Sequence, residues 1–128
     1  MSELHPTGGY DHVTIVEPGR LAFLAGQCPV DAQERVVGVG DLDAQIERTA
    51  ANCLAALAAA GARPEDVVRS VVYVVSGESR VVGGAWHRLA EHPELGPAFK
   101  AASTVTGVTA LGYQDQLIEV DLTAKLPE

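Results

Sequence analysis

Asp41-Leu-Asp-Ala-Gln-Ile-Glu-Arg-Thr-Ala-Ala-Asn-Cys-Leu-Ala-Ala-Leu-Ala-Ala-Ala-Gly61, with the run Val67-Val-Arg-Ser-Val-Val-Tyr-Val-Val75 that follows it, decides the fold. Leu42, Ile46, Ala50, Cys53 and Leu57 recur at steps of three and four, the spacing of one helix face. Asp41 is an N-cap residue, Gly61 a C-cap, and Pro64 prevents continuation. The spacing predicts a helix of about 19 residues whose alanine-rich end lies flat on a sheet. The second run is almost wholly β-branched, the composition of a central strand buried on both faces.

Working outward, Tyr10–Val16 alternates in the manner of a strand, Glu17-Pro-Gly-Arg20 is a turn signal, and Leu21–Ala25 is the second arm of a predicted hairpin. Val36–Val39 is a short third strand. Downstream, Val81, Val82, Ala85, Trp86 and Leu89 define a second amphipathic helix, which Gly83-Gly84 weakens by about 1 kcal/mol per glycine. The breaker His92–Pro97 leads to a strand at Ser103–Val108. In the last strand, Leu117–Ala124, the residues Ile118, Val120, Leu122 and Ala124 face one way, and Leu117, Glu119, Asp121 and Thr123 the other. The order β-β-(β)-α-β-α-β-β predicts an α+β fold: a mixed sheet with two helices on one face and the other face still apolar.

The chain has 128 residues, the size of a single domain spanning 1–128, and 47% of them are hydrophobic. Of these, 19 are Ala and 17 are Val, so the monomer's core is built from small pieces. Further burial between subunits is therefore expected. A net charge of −8 repels phosphate backbones, which argues against a nucleic-acid partner. No apolar run approaches the roughly 20 residues a membrane helix needs, and Met1–Pro6 lacks the pattern of a secretory leader. Cys28 and Cys53 are too few for a disulfide framework and lack metal spacing, so a cytoplasmic protein without metal is expected. The four histidines share no ligand spacing and read as surface or structural residues.

Four segments in order resemble the RidA/YjgF family of reactive-intermediate deaminases: Leu24-Ala-Gly-Gln-Cys-Pro29; Asp41–Gly61 with Gln45, Asn52, Ala59 and Ala60 in register; Asp66–Val74; and Leu117–Ala124 with its glutamate. The resemblance covers about residues 10–124. It implies a chorismate-mutase-like fold assembled as a homotrimer, with three sheets closing a central β-barrel and ligand clefts between subunits. It implies no metal or organic cofactor. Deaminating members hydrolyse imines and enamines such as 2-aminoacrylate to a 2-keto acid and ammonia; an arginine grips the substrate carboxylate and a glutamate positions water.

Carried over residue by residue, Glu119 matches that glutamate, Tyr10 the tyrosine lining the cleft from a neighbouring subunit, and Gly26 the turn glycine whose backbone region holds the imine nitrogen. Ser103 stands at the arginine position, Val105 where cysteine is frequent and Ala25 where serine is common. Lys100, three residues before Ser103, offers a flexible point charge. The resemblance thus implies a small-molecule enzyme of imines, enamines or related intermediates, acting by hydrolytic deamination or by proton transfer and hydration, with a substrate other than a simple 2-imino acid. The alternative is a non-catalytic metabolite-binding or regulatory trimer. Cys28 is a reactive thiol at the cleft or a buried inert one; no basic neighbour in sequence activates it. Tyr10 caps a ligand or packs structurally, and Ser103 lacks a base at any spacing that would make it a nucleophile.

Overall fold

The expected helix, α1 (Leu42–Ala60), begins where the Asp41 carboxylate accepts the Ala44 N–H at 3.1 Å and ends at Gly61, whose φ of 81° suits a residue without Cβ. Beyond it, the Ala62 N–H returns to the Leu57 carbonyl at 2.9 Å. Ile46, Ala50, Cys53 and Leu57 are all buried, as their spacing requires, while Leu42 at the helix start is half-buried.

The computed structural model describes residues 3–128. Besides α1 it contains β1 (Leu21–Phe23), β2 (Val67–Val75), α2 (Ser79–Ala90), β3 (Ala102–Val108) and β4 (Ile118–Lys125), with 3-10 turns at Pro64–Asp66 and Gly96–Lys100. One four-stranded sheet has the order β1-β4-β2-β3, with β2 and β3 parallel and the other pairs antiparallel. Parallel neighbours need a crossover, and α2 supplies it. Gly83 and Gly84 do not break α2, because Ala85 and Leu89 anchor it in the core. Tertiary packing outweighs propensity there.

Both helices cover the sheet face formed by Val72, Val74, Ile118, Val120, Leu122 and Ala124. The other face, which carries Val71, Tyr73, Glu119 and Asp121, is left open. Accordingly β2 is central in position but from Ser70 onward alternates between buried and half-buried residues, with Arg69 before it exposed, and the expected burial on both faces is corrected to one. Leu21 and Phe23 pair with Lys125 and Thr123 and so lie on the open side, Phe23 at 76% exposure.

Three expectations at the N-terminal end are corrected. Tyr10–Val16 is not a strand: single bonds, from the Asp11 N–H to Lys100 O and from the Ala102 N–H to Thr14 Oγ1, tie it beside the β3 edge without a ladder. There is no hairpin, because β1 finds its partner in β4, a hundred residues on. Val36–Val39 makes only an isolated bridge, Val30 to Val36, since Gly38 and Gly40 take φ of 68° and 77° and turn the chain toward α1. Of the head expected over residues 2–9, Ser2 lies outside the described residues, as does Met1; residues 3–9 form no helix or strand.

One buried group in α1 is out of keeping. Thr49 is fully buried, and its hydroxyl has no hydrogen-bond partner among the described residues. A stranded hydroxyl costs about 1 kcal/mol or more, so Thr49→Val, nearly the same in shape, is expected to raise stability by about 1 kcal/mol, read as a higher urea midpoint at unchanged m.

Candidate functional site

The resemblance's residues fall into two groups. The first forms where the chain leaving β1 runs beside β4. Gln27 exchanges two backbone bonds with Val120, at 2.7 and 3.0 Å, which sets Gly26 and Cys28 alongside Glu119. Because Ile118 and Val120 point into the core, Glu119 between them emerges, half-buried, on the open face. Its Oε1 accepts the Gln116 side-chain amide at 3.1 Å and lies 3.4 Å from the Cys28 thiol. Gln116 is itself buried; it also donates to Ile118 O at 2.9 Å and accepts the Tyr113 N–H at 3.0 Å. On the other side of the carboxylate a Cβ at Gly26 would collide with Glu119 Oε2 and come within 2.9 Å of its Cδ. Only glycine leaves the carboxylate room.

The environment disfavours the Cys28 thiolate. Burial first, then the charge of Glu119 and the hydrogen bond to it, push the thiol up to about 11. Cys53 in the core goes to about 12, chiefly by burial.

The second group lies on the opposite face and beyond β2. Ser103 pairs with Ser70 in register and points, like Ser70, toward the helices. Its hydroxyl donates to Ala101 O at 2.8 Å and lies 2.6 Å from Ser70 Oγ. A cavity of about 270 Å³ opens beside it, lined by Thr7, Tyr10, Trp86, His87, Ser103 and Val105. Tyr10 meets Trp86 edge-to-face at 5.8 Å between centroids, and Trp86 meets Phe99 likewise at 5.4 Å. An adjoining cavity of about 330 Å³ shares Tyr10 and Trp86 and reaches the exposed Lys100 and Glu91. Tyr10, Ser103 and Lys100 are thus brought together, while Gly26, Cys28 and Glu119 form a separate group within the same chain. Asp121 shares the Glu119 face, and among the described residues no hydrogen bond pairs it with Glu119 as acid and base.

Sequence reasoning missed Gln116, Trp86 and His87. Gln116 sits in what reads as a polar turn, Trp86 counts as a core position of α2, and His87 as a surface residue; no spacing signal distinguishes them. His92 is structural as expected, its Nδ1 accepting the N–H groups of Glu94 and Leu95 at 3.2 and 3.0 Å. Among the described residues no group of three or more His, Cys, Asp and Glu is arranged to hold a metal ion.

A mixed sheet covered by two helices on one face and carrying an outward glutamate on its strand β4 defines a chorismate-mutase-like protein of the YjgF type. Residues 1–126 match the family described as Endoribonuclease L-PSP, and the chain belongs to this family, the RidA/YjgF proteins. The structure is similar to that of YyfB of Yersinia pestis, a member of the conserved Rid protein family, at 32% identity and TM-score 0.84, covering 98% of this chain and 95% of YyfB. It is also similar to Rv2704 of Mycobacterium tuberculosis, at 27% identity and TM-score 0.60, covering 86% and 82% of the two chains. Protein DfrA of Myxococcus xanthus is 37% identical over 67 residues, 52% of this chain and 51% of DfrA. A RutC family protein of Pyrococcus abyssi is 36% identical over 69 residues, 54% of this chain and 53% of that protein. The matches thus span about half the length of these curated relatives.

With its thiol at about 11, Cys28 has roughly one thiolate in a thousand near pH 8. Iodoacetamide labelling followed by mass spectrometry is expected to be slow at neutral pH and to accelerate up to about pH 11. Glu119→Gln removes the neighbouring charge and should speed it at every pH below that; unchanged labelling would mean that Glu119 does not bear on the thiol.

Proposed function

We propose that this chain is a small-molecule enzyme of the RidA type, acting on an imine, enamine or related reactive intermediate in clefts between the subunits of a homotrimer. The observation that carries the reading is the setting of Glu119: a half-buried carboxylate wedged against Gly26, one oxygen bound by Gln116, the other at the backbone of the turn. Such a carboxylate holds a water and takes its proton as the water oxygen bonds to the imine carbon. The nitrogen receives that proton; the carboxylate then carries a second proton from the carbinolamine hydroxyl to the nitrogen as the C–N bond breaks, and a carbonyl compound and an amine or ammonia leave. Gly26, without a side chain, leaves the carboxylate its place beside the turn, and Gln116 is a positioning residue for the carboxylate.

The trimer is supported by the split of the site. Glu119 and Tyr10 lie on opposite faces of one chain, so a cleft using both needs two copies, and the open face with Leu21 and Phe23 is the surface a neighbour would cover. In this reading Tyr10, Ser103 and Lys100 of one subunit face Gly26, Cys28 and Glu119 of the next. Free thiols at Cys28 and Cys53 support a cytoplasmic setting. The net charge of −8 argues against RNA as substrate, despite the family's description.

Light scattering on the eluting protein should give three times the 13.4 kDa chain mass. Imines generated in situ by an amino-acid or amine oxidase, with carbonyl release followed by semicarbazide trapping, should reveal turnover that Glu119→Gln lowers about 100-fold or more. Gln116→Ala should shift the pH–rate profile rather than abolish the rate. Absence of turnover on every imine, together with tight metabolite binding, would favour the regulatory trimer; RNA cleavage lost in Glu119→Gln would favour a ribonuclease.

A further inference from the structure

Resting on the reading of the Tyr10 cavity as one half of the ligand cleft, we propose that it selects an uncharged, planar ring compound bearing an imine or carbonyl group, with Trp86 and His87 as the specificity-determining residues. Four observations support this class. No lysine, arginine or carboxylate lines the cavity of about 270 Å³ beside Ser103. The nearest cation, Lys100, opens on the adjoining cavity, where Glu91 is also in the lining, so an anion meeting one meets the other. The Ser103 hydroxyl gives its proton to Ala101 O and is engaged with Ser70, so it is not a donor aimed at an anion. The whole chain adds a field of −8.

What the cavity does offer is flat aromatic surface. Trp86 lines both cavities and is fixed edge-to-face between Tyr10 and Phe99, with interplanar angles of 84° and 82°. Among the described residues, neither the Tyr10 hydroxyl nor the His87 ring has a hydrogen-bond partner. A phenol donates and accepts and an imidazole offers two ring nitrogens, which suits a carbonyl or imine. The volume lies just below the about 300 Å³ at which sites for drug-sized ligands begin, enough for one substituted ring.

Benzamide and benzoate have the same outline and differ by one charge. Trp86 is the sole tryptophan, so its emission reports on this cavity, and saturation-transfer NMR gives an independent reading. Benzamide is expected to quench Trp86 saturably and benzoate to bind at least about tenfold more weakly, at high as well as low salt. Ser103→Arg, checked for fold by circular dichroism, should invert the order. By NMR, Trp86→Ala should lose benzamide while Trp86→Phe, which keeps a ring, retains it; this pair decides the matter if the arginine variant misfolds. Benzoate binding as tightly as benzamide to the unmodified chain, or no benzamide binding, would overturn the proposal. Neither result needs turnover: benzamide binding without imine hydrolysis would sink the enzymatic reading alone, and hydrolysis with a benzoate-preferring cavity would sink this one alone.

Discussion

The site depends on a row of polar side chains along α1 that hold other people's backbone: Gln45, Arg48 and Asn52. Gln45 is fully buried, and its amide donates to Gly38 O at 3.1 Å and Asp115 O at 2.9 Å while its carbonyl accepts the Leu117 N–H at 2.8 Å. Asn52 donates to Cys28 O and Val30 O at 2.8 and 2.9 Å, and Arg48 reaches Val30 O at 3.1 Å. Two irregular segments, one carrying Gly26 and Cys28 and the other leading into Gln116 and Glu119, are thereby fixed to one rigid helix. Loop carbonyls turned inward need such partners, and a buried amide with its groups satisfied is far less costly than one left open.

This explains what the helix motif means physically. Asp41 and Gly61 bound the helix, the apolar positions fill the core, and Gln45 and Asn52 hold the backbone on either side of Glu119 without touching its carboxylate. The caps and the apolar face are local periodicity and cap chemistry, which is why they were legible; the bonds of Gln45 and Asn52 to distant backbone carry no local signal and were not. The bounds of β2 were legible residue for residue, and so was the facing of Ile118, Val120, Leu122 and Ala124, because strand alternation needs no knowledge of the partner; the one-sided burial of β2 was not, since it depends on what packs on the sheet.

What was not legible depends on partners distant in sequence. Alternation in Tyr10–Val16 satisfies the strand pattern, but β4 offers its free edge to Leu21–Phe23, leaving the earlier stretch unpaired. Turn residues at Glu17–Arg20 suggest a hairpin to any local rule, and only the register shows otherwise. In the site, the closeness of Gly26 and Glu119 could be expected from the resemblance, whereas Gln116 gains its role through a contact with a side chain three residues on whose rotamer the sequence does not specify. Trp86 and His87 gain theirs because Tyr10 crosses over α2, a long-range contact with no local signature.

The pairing of β1 with β4 also bears on how the chain emerges from a ribosome. The strand that occupies one edge of the sheet is made first, and its ladder partner β4 is completed about a hundred residues later, an interval of roughly 5 to 20 s at ordinary translation rates. For that time Phe23 and its neighbours have no native partner, while α1, β2, α2 and β3 can already condense. A three-residue strand presents few unpaired backbone groups during the wait, so its shortness limits the template available for pairing between nascent chains.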